Sequence, residues 1–204
     1  MQEDMQLLLD RAAITQVVQD WGLARDAGRW EPLRACYAPD AVMYTTWFVG
    51  PAEDFIAHSM AASRQGARAL HFIGAATILL NGERALAETR MVLQARGRVD
   101  GVEVDVTCWG RFHDRFVRHD GRWGILKRVP VYEKDRLDPV DPAASLALDS
   151  AALALQPEGC RHLTYMQSRA GTTISPDIAV PGSAALARLE AESAAWLAAS
   201  PTTR

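Results

Sequence analysis

Hydrophobic residues recur at helical spacing through much of residues 1–65. Between about residues 4 and 27, apolar side chains return every third or fourth position, which predicts an amphipathic helix. The same reasoning predicts a short helix over residues 30–37 and a third over 52–64, while the apolar run 41–48 has the character of a strand. Three helices and one strand are therefore expected before the middle of the chain.

Turn signals divide the middle of the chain at near-even intervals. They are Asn81-Gly82, Asp100-Gly101 and Asp120-Gly121. A tight hairpin needs positive φ at both central positions, and Asn or Asp followed by Gly adopts this conformation at least cost. We therefore expect residues 69–132 to form a four-stranded antiparallel meander. Alternation of apolar and polar residues over 104–113 indicates that one face of this sheet is buried.

The character of the sequence changes after residue 132. Pro139 and Pro142 mark a linker, residues 143–155 are rich in alanine, and apolar spacing over 184–199 predicts a final amphipathic helix. Residues 160–167 also have helical spacing, which suits a packing helix or part of a lid. We therefore divide the chain into a domain over residues 1–138 and a helical extension over 139–204, which acts as a lid or an oligomer contact.

Composition narrows the classes of partner. The chain has 204 residues, a hydrophobic fraction of 49% and a formal net charge of −3, so it can bury one core but offers no basic field for nucleic acid. No apolar stretch is long enough to span a bilayer, and the acidic amino end is unlike a signal peptide. We expect a cytoplasmic protein without nucleic-acid or membrane partners. Three widely spaced cysteines indicate reduced thiols rather than disulfides.

One carboxylate stands at the end of an apolar helical row. Ile14, Val18, Gly22 and Asp26 follow one another at intervals of one turn. A carboxylate on a buried row must be hydrogen-bonded, protonated or paired. His71, in the apolar run before the first turn signal, is a natural partner. Its imidazole can donate one N–H to Asp26 and present the other nitrogen as a base.

Structural explanations compete with this catalytic one. Asp26 also suits an exposed or capping position near a helix end. His71 also suits a satisfied core histidine, and Arg128, a candidate for holding a developing anion, also suits a solvated charge at the sheet edge. The remaining histidines do not come together with a carboxylate at ligand spacing, so no metal site is expected, and no nucleotide-binding or nucleophile-elbow motif occurs.

Several short segments, taken in order, resemble the SnoaL-like branch of the NTF2-like superfamily. They are residues 10–14 (DRAAI), 25–30 (RDAGRW), 37–42 (YAPDAV), 50–51 (GP), 70–72 (LHF), 118–123 (RHDGRW) and 127–128 (KR). The resemblance covers about residues 8–132. It implies an α+β fold in which a cone-shaped, curved antiparallel sheet is wrapped by three N-terminal helices, followed here by the C-terminal helical extension.

The resemblance also implies a chemistry. In scytalone dehydratase, bile acid 7α-dehydratase and hexachlorocyclohexane dehydrochlorinase, an Asp–His dyad performs elimination with neither a metal nor an organic cofactor. Matching positions place Asp26 and His71 on the dyad, Arg128 on a basic residue and Tyr44 on a pocket tyrosine. The chain departs from these relatives in having Trp21 where some carry a tyrosine or lysine, and in lacking a second histidine near residues 91–93.

We therefore expect a cofactor-independent lyase, acting as a dehydratase, dehydrohalogenase or aldehyde-releasing carbon–carbon lyase on a small apolar ring-bearing molecule. Apolar residues near the dyad are expected to line its pocket, or else to be ordinary core. They are Trp21, Trp47, Phe72, Met91, Leu93, Trp109 and Phe112. An isomerase or cyclase, and a non-catalytic binding module, are the alternatives. A homo-oligomer is expected, and the resemblance favours a trimer.

Overall fold

Six helices and six strands make up the fold. A computed structural model of the chain describes residues 2–199. The helices are α1 (Gln2–Asp26), α2 (Trp30–Ala35), α3 (Ala52–Arg64), α4 (Ser150–Ala154), α5 (Arg161–Arg169) and α6 (Ala184–Ala198). The strands are β1 (Tyr37–Tyr44), β2 (Val49–Pro51), β3 (Ala69–Asn81), β4 (Arg84–Val99), β5 (Val102–His119) and β6 (Arg122–Pro139). A single 3₁₀ turn, Glu158–Cys160, precedes α5.

All six strands belong to one curved, unclosed sheet with the order β2-β1-β6-β5-β4-β3. The predicted meander is confirmed, since β3 to β6 pair in sequence as antiparallel neighbours. Within this predominantly antiparallel sheet, the pair formed by β1 and β6 is parallel. Parallel neighbours require a long connection, and here α3 and the rest of the meander lie between the two strands in the chain.

Two of the three turn signals act as predicted. Asp100 and Gly101 have φ values of 48° and 87°, and Asp120 and Gly121 have φ values of 49° and 74°. The first turn is shifted by one residue, because Asn81 still pairs with Arg84 and the loop is residues 82–83. Only the glycine of this loop has positive φ, as in a type II′ turn, where glycine occupies the first central position.

Other predicted boundaries also move. The first strand covers residues 37–44 rather than 41–48, and Asp40, at φ 58°, lies within an irregularity of this strand. In the alanine-rich stretch the helix covers only residues 150–154. It begins there because the Asp149 carboxylate accepts hydrogen bonds from the amides of Ala151 and Ala152.

Helices cover both faces of the sheet. Helix α1 packs on the inner, concave face, where Ile14, Val18 and Trp21 are buried, and α5 joins the same core through Leu163 and Tyr165. On the outer face α6 contributes to a smaller apolar cluster. The extension thus shares the core of the preceding domain, although residue 1 and residues 200–204 at the outer ends lie outside the described residues. Among residues 2–199, no helix is long and apolar enough to cross a membrane.

Candidate active site

A close approach of α1 to β3 creates the site. Gly22 lies on the buried row of α1, and a Cβ at this position would be 2.5 Å from Cδ1 of Ile73 on β3. Glycine therefore lets the helix lie against the strand. One turn later, Asp26 is the last residue of α1 and reaches His71, two residues before Ile73.

Asp26 and His71 form a doubly hydrogen-bonded pair. The backbone amide of His71 donates to Oδ2 of Asp26 at 2.6 Å, and Nδ1 of the imidazole lies 2.7 Å from Oδ1. Both side chains are largely buried, with exposed fractions of 14% for Asp26 and 10% for His71. The carboxylate thus holds both the backbone and the ring of the histidine.

This geometry selects one tautomer. An ionised carboxylate only accepts hydrogen bonds, so Nδ1 carries the proton and Nε2 of neutral His71 keeps its lone pair. Within residues 2–199, Nε2 has no hydrogen-bond partner, while the ring packs edge-on against Trp21 at 5.4 Å between centroids. His71 also lines a cavity of about 100 Å³. The pair therefore presents a basic nitrogen beside an enclosed space.

Most walls of this cavity are apolar. Five of the predicted pocket residues line it: Trp21, Trp47, Met91, Leu93 and Phe112. Trp47 reaches the cavity because the turn after β1, closed by a hydrogen bond from the amide of Thr45 to the carbonyl of Phe48, directs it inward. Helix α5 closes one side through Leu163 and Gln167.

Phe72 and Trp109 lie on the opposite face of the sheet, which corrects their predicted place in the pocket. Phe72 pairs with Val92, and Val92 pairs with Trp109, so the three side chains form a row across the outer face. Phe72 is 75% exposed. Successive residues of a strand point to opposite faces, and an inward His71 therefore requires an outward Phe72.

Arg128 does not line the cavity. Its Nε and Nη2 atoms donate to the two carboxylate oxygens of Asp114 at 2.8 and 2.7 Å, and both side chains are fully buried. The guanidinium lies 4.3 Å from the ring centroid of Trp21 and 4.1 Å from that of Phe112. Arg128 therefore supports two cavity walls from behind, which differs from the predicted contact with a developing anion.

Tyr44 is likewise placed away from the dyad. It packs with Val129 and Val131 in the outer-face cluster, and the ammonium of Lys127 lies 4.9 Å from its ring centroid. Met43, the preceding residue, lines the cavity instead. The alternation along β1 accounts for this exchange.

Several polar residues missing from the predicted pocket line the cavity, and two of them, Arg25 and Gln167, carry unpartnered buried atoms. Nε of Arg25 and Oε1 of Gln167 are buried without a hydrogen-bond partner in the described part of the chain. Arg25 was detectable from the sequence, since it follows Trp21 by four residues and therefore lies on the same helix face. Gln167 gave no such signal, because its position depends on how α5 packs against the sheet.

A second Asp–His pair has the same internal geometry. The amide of His162 donates to Oδ2 of Asp135 at 2.6 Å, and Nδ1 lies 2.8 Å from Oδ1. Asp135 accepts a further hydrogen bond from the amide of Leu163. These amides belong to the first turn of α5, whose N–H groups lack partners within the helix. Asp135 thus caps α5 from β6, and neither member of this pair lines the cavity.

A larger surface groove lies elsewhere. It has a volume of about 970 Å³, and its rim includes the exposed ion pair of Arg96 with Asp105. We favour the smaller cavity as the site because it is more enclosed and contains the oriented imidazole.

Burial raises the pKa of the thiols of Cys36 and Cys160 to about 11 and about 12, which keeps both protonated at neutral pH. In residues 2–199 no three metal-ligating side chains converge.

Sequence comparisons identify relatives. The model of the SnoaL-like domain matches residues 6–129. Pea pathogenicity protein 2 of Fusarium vanettenii is 35% identical over 167 residues, which cover 80% of this chain and 72% of that protein. An uncharacterised protein of Emericella nidulans is 37% identical over 170 residues, which cover 79% of this chain and 71% of that protein.

Solved structures share the fold at low identity. A hexachlorocyclohexane dehydrochlorinase (LinA) superimposes with a TM-score of 0.56 at 14% identity, over 72% of this chain and 99% of its own. A protein of Novosphingobium aromaticivorans provisionally named a scytalone dehydratase gives a TM-score of 0.53 at 17% identity, over 69% and 97%. The predicted NTF2-like fold is confirmed.

Proposed function

Because the chain belongs to the SnoaL-like family, we propose that it is a lyase that eliminates a small leaving group from a ring-bearing substrate without a cofactor. One observation carries the proposal: Asp26 orients His71 so that its unbonded Nε2 lies at an apolar cavity. A neutral imidazole fixed in this way is suited to general base catalysis.

The proposed step moves one proton and breaks two bonds. Nε2 of His71 removes a proton from carbon, and the C–H electron pair forms the new double bond as the bond to the leaving group on the neighbouring carbon breaks. The imidazolium then returns the proton to a departing hydroxide, which leaves as water, while Asp26 stabilises the transient positive charge on the ring. A halide would instead leave as the anion with its bonding pair, and the imidazolium would then lose its proton to water. For aldehyde release, Nε2 would remove the proton of a hydroxyl on the neighbouring carbon, the O–H electron pair would form the C=O bond as the C–C bond breaks, and the resulting carbanion would take the proton from the imidazolium.

An isomerase is the second candidate. The mostly apolar cavity supports it, because a proton held on His71 beside these walls can return to a different carbon of the same molecule. The product mass separates the two reactions, since elimination releases a fragment and isomerisation leaves the mass unchanged.

Helix α5 is proposed to act as a lid. Ligand pockets typically have volumes of about 300–1,000 Å³, whereas the cavity here measures about 100 Å³. A substrate larger than one small ring therefore requires α5 to move outward. Leu163 and Gln167, which this helix contributes to the walls, would then close over the bound molecule.

The test combines a substrate screen with matched variants. Wild-type protein, His71→Gln and His162→Gln are incubated with cyclic β-hydroxy ketones and hydroxy acids, and the products are weighed by mass spectrometry. The proposal expects loss of one water with the wild type and with His162→Gln, and none with His71→Gln. Equal conversion by His71→Gln would overturn it, and an altered product of unchanged mass would favour the isomerase.

We also propose that the protein forms a homo-oligomer, with a trimer favoured, through the outer face of β3. This strand is at the edge of the sheet and exposes Phe72, an arrangement that burial against another copy would stabilise. Light scattering during gel filtration should give a trimer for the wild type and a smaller species for Phe72→Asp. A monomeric wild type would contradict the proposal. The cytoplasmic location stays a prediction.

A further inference from the structure

The guanidinium of Arg25 lies in the cavity wall without a hydrogen bond. Its Nε is buried, and neither a carboxylate nor a carbonyl in residues 2–199 accepts from this side chain. Its closest recorded ring is that of Phe55, 5.8 Å from Cζ. Burial lowers the pKa of Arg25, and the charge of neighbouring Asp26 opposes that effect. Leaving such a donor unsatisfied is costly unless another group binds it.

Asp26 does not satisfy Arg25, although the two residues are adjacent. Both oxygens of its carboxylate accept hydrogen bonds from His71. The remaining cavity walls are mostly apolar side chains. Thr45, Thr46 and Tyr132 are also polar wall residues, but Gln167 of α5 differs from them in that its buried Oε1 has no partner among residues 2–199. Two unsatisfied polar groups, from the helix of the dyad and from the covering helix, thus border the same small space.

We propose that Arg25, assisted by Gln167, binds a carboxylate of the substrate, so that the preferred ligand is a small ring-bearing acid. This assignment rests on the proposed function. The planar fork of a guanidinium matches the two oxygens of a carboxylate, and a charge-assisted hydrogen bond is stronger in an apolar site. The amide of Gln167 can turn its N–H₂ toward the same group. Arg25 would position the ring beside Nε2 of His71.

Benzoate and benzamide test this assignment, because they have nearly the same shape and differ in charge. Binding of each to the purified full chain is measured by isothermal titration calorimetry at neutral pH. The wild type should bind benzoate more tightly by roughly tenfold or more, which corresponds to one charge-assisted hydrogen bond. Arg25→Met should abolish the preference, Arg25→Lys should retain part of it, and Gln167→Met should weaken benzoate binding less than Arg25→Met.

Arg29→Met is the matched control, because it removes the same charge from an exposed position near the end of α1. It should leave the preference unchanged. Equal binding of the two probes by the wild type, no binding of either, or a preference that survives in folded Arg25→Met would overturn the proposal. His71→Gln should keep the benzoate preference, because His71 is not part of the proposed carboxylate contact, so failure of this proposal and failure of the proposed elimination are distinguishable.

Discussion

Two Asp–His pairs in this molecule have nearly the same internal geometry and different surroundings. In each, one carboxylate accepts from the backbone amide and from Nδ1 of the histidine, at 2.6 and 2.7 Å for His71 and at 2.6 and 2.8 Å for His162. His71 faces a cavity, while His162, with 28% of its side chain exposed, stands at the start of a helix. The hydrogen-bonded motif alone therefore does not identify a catalytic pair.

The carboxylates differ in what they stabilise. Asp135 is 2% exposed and accepts from two amides of the first turn of α5, where the helix dipole favours a negative charge. Asp26 is the last residue of α1, where the dipole disfavours one. A stabilising position suits a structural cap. An unfavourable one beside a cavity is the arrangement that the proposed general base would require.

The largest expected effect is on turnover. Once a substrate is identified, His71→Gln should reduce kcat/KM by about 10²–10⁴-fold, the usual contribution of a general base. His162→Gln should change it by less than about threefold, because the amides of α5 still bind Asp135. Steady-state kinetics measure both values. Equal losses of activity in the two variants would contradict a catalytic role for His71 that His162 does not share.

The next effect concerns stability, and here substitution in the second pair, at Asp135, should have the larger effect. Asp135→Ala removes the acceptor of three hydrogen bonds in a buried place and should lower the free energy of unfolding by about 2–4 kcal/mol. Asp26→Ala should lower it by less than half as much, since it also relieves an unfavourable charge at a helix end. Urea denaturation measures both values, and equal losses would show that the two carboxylates have the same structural role.

The smallest expected effect tests whether the spacing between α1 and β3 sets the geometry of the dyad. Gly22→Ala should change the free energy of unfolding by less than about 1 kcal/mol, because the gain in helix propensity offsets the contact with Ile73. Turnover should nevertheless fall severalfold, as α1 shifts away from β3 and Asp26 from His71. Adding Ile73→Val, which removes Cδ1, should restore it. Unchanged kinetics in the single variant would mean that this spacing does not set the dyad.

Much of the fold was predictable because it depends on local signals. Asx-Gly turns fixed two hairpins, and apolar spacing located α1, α3 and α6. The row ending at Asp26 led to its pairing with His71, since a carboxylate near a core must find a partner. The parallel neighbours β1 and β6 left no comparable trace, because their pairing joins segments far apart in the chain.

Predictions for the pocket walls failed where strand register decides them. Phe72 and Trp109 are apolar and close in sequence to inward-facing residues, yet alternation places them outside. Arg128 was assigned a substrate contact, but the carboxylate directly across the strand pair, Asp114, binds it. Such pairing depends on a register that hydrophobicity alone does not specify. The position of Gln167 depends on how α5 docks, and α5 lies outside residues 8–132, the part of the chain that the resemblance covers.

Observing the tautomer of His71 is the most direct test of its proposed role as a general base. Long-range ¹H–¹⁵N correlation spectra of the imidazoles, recorded at a pH where His71 is neutral and assigned with His71→Gln and His162→Gln, report which ring nitrogen carries the proton. We expect a protonated Nδ1 and a bare Nε2 for His71. A proton on Nε2 of the neutral ring would leave no base facing the cavity and would contradict that role.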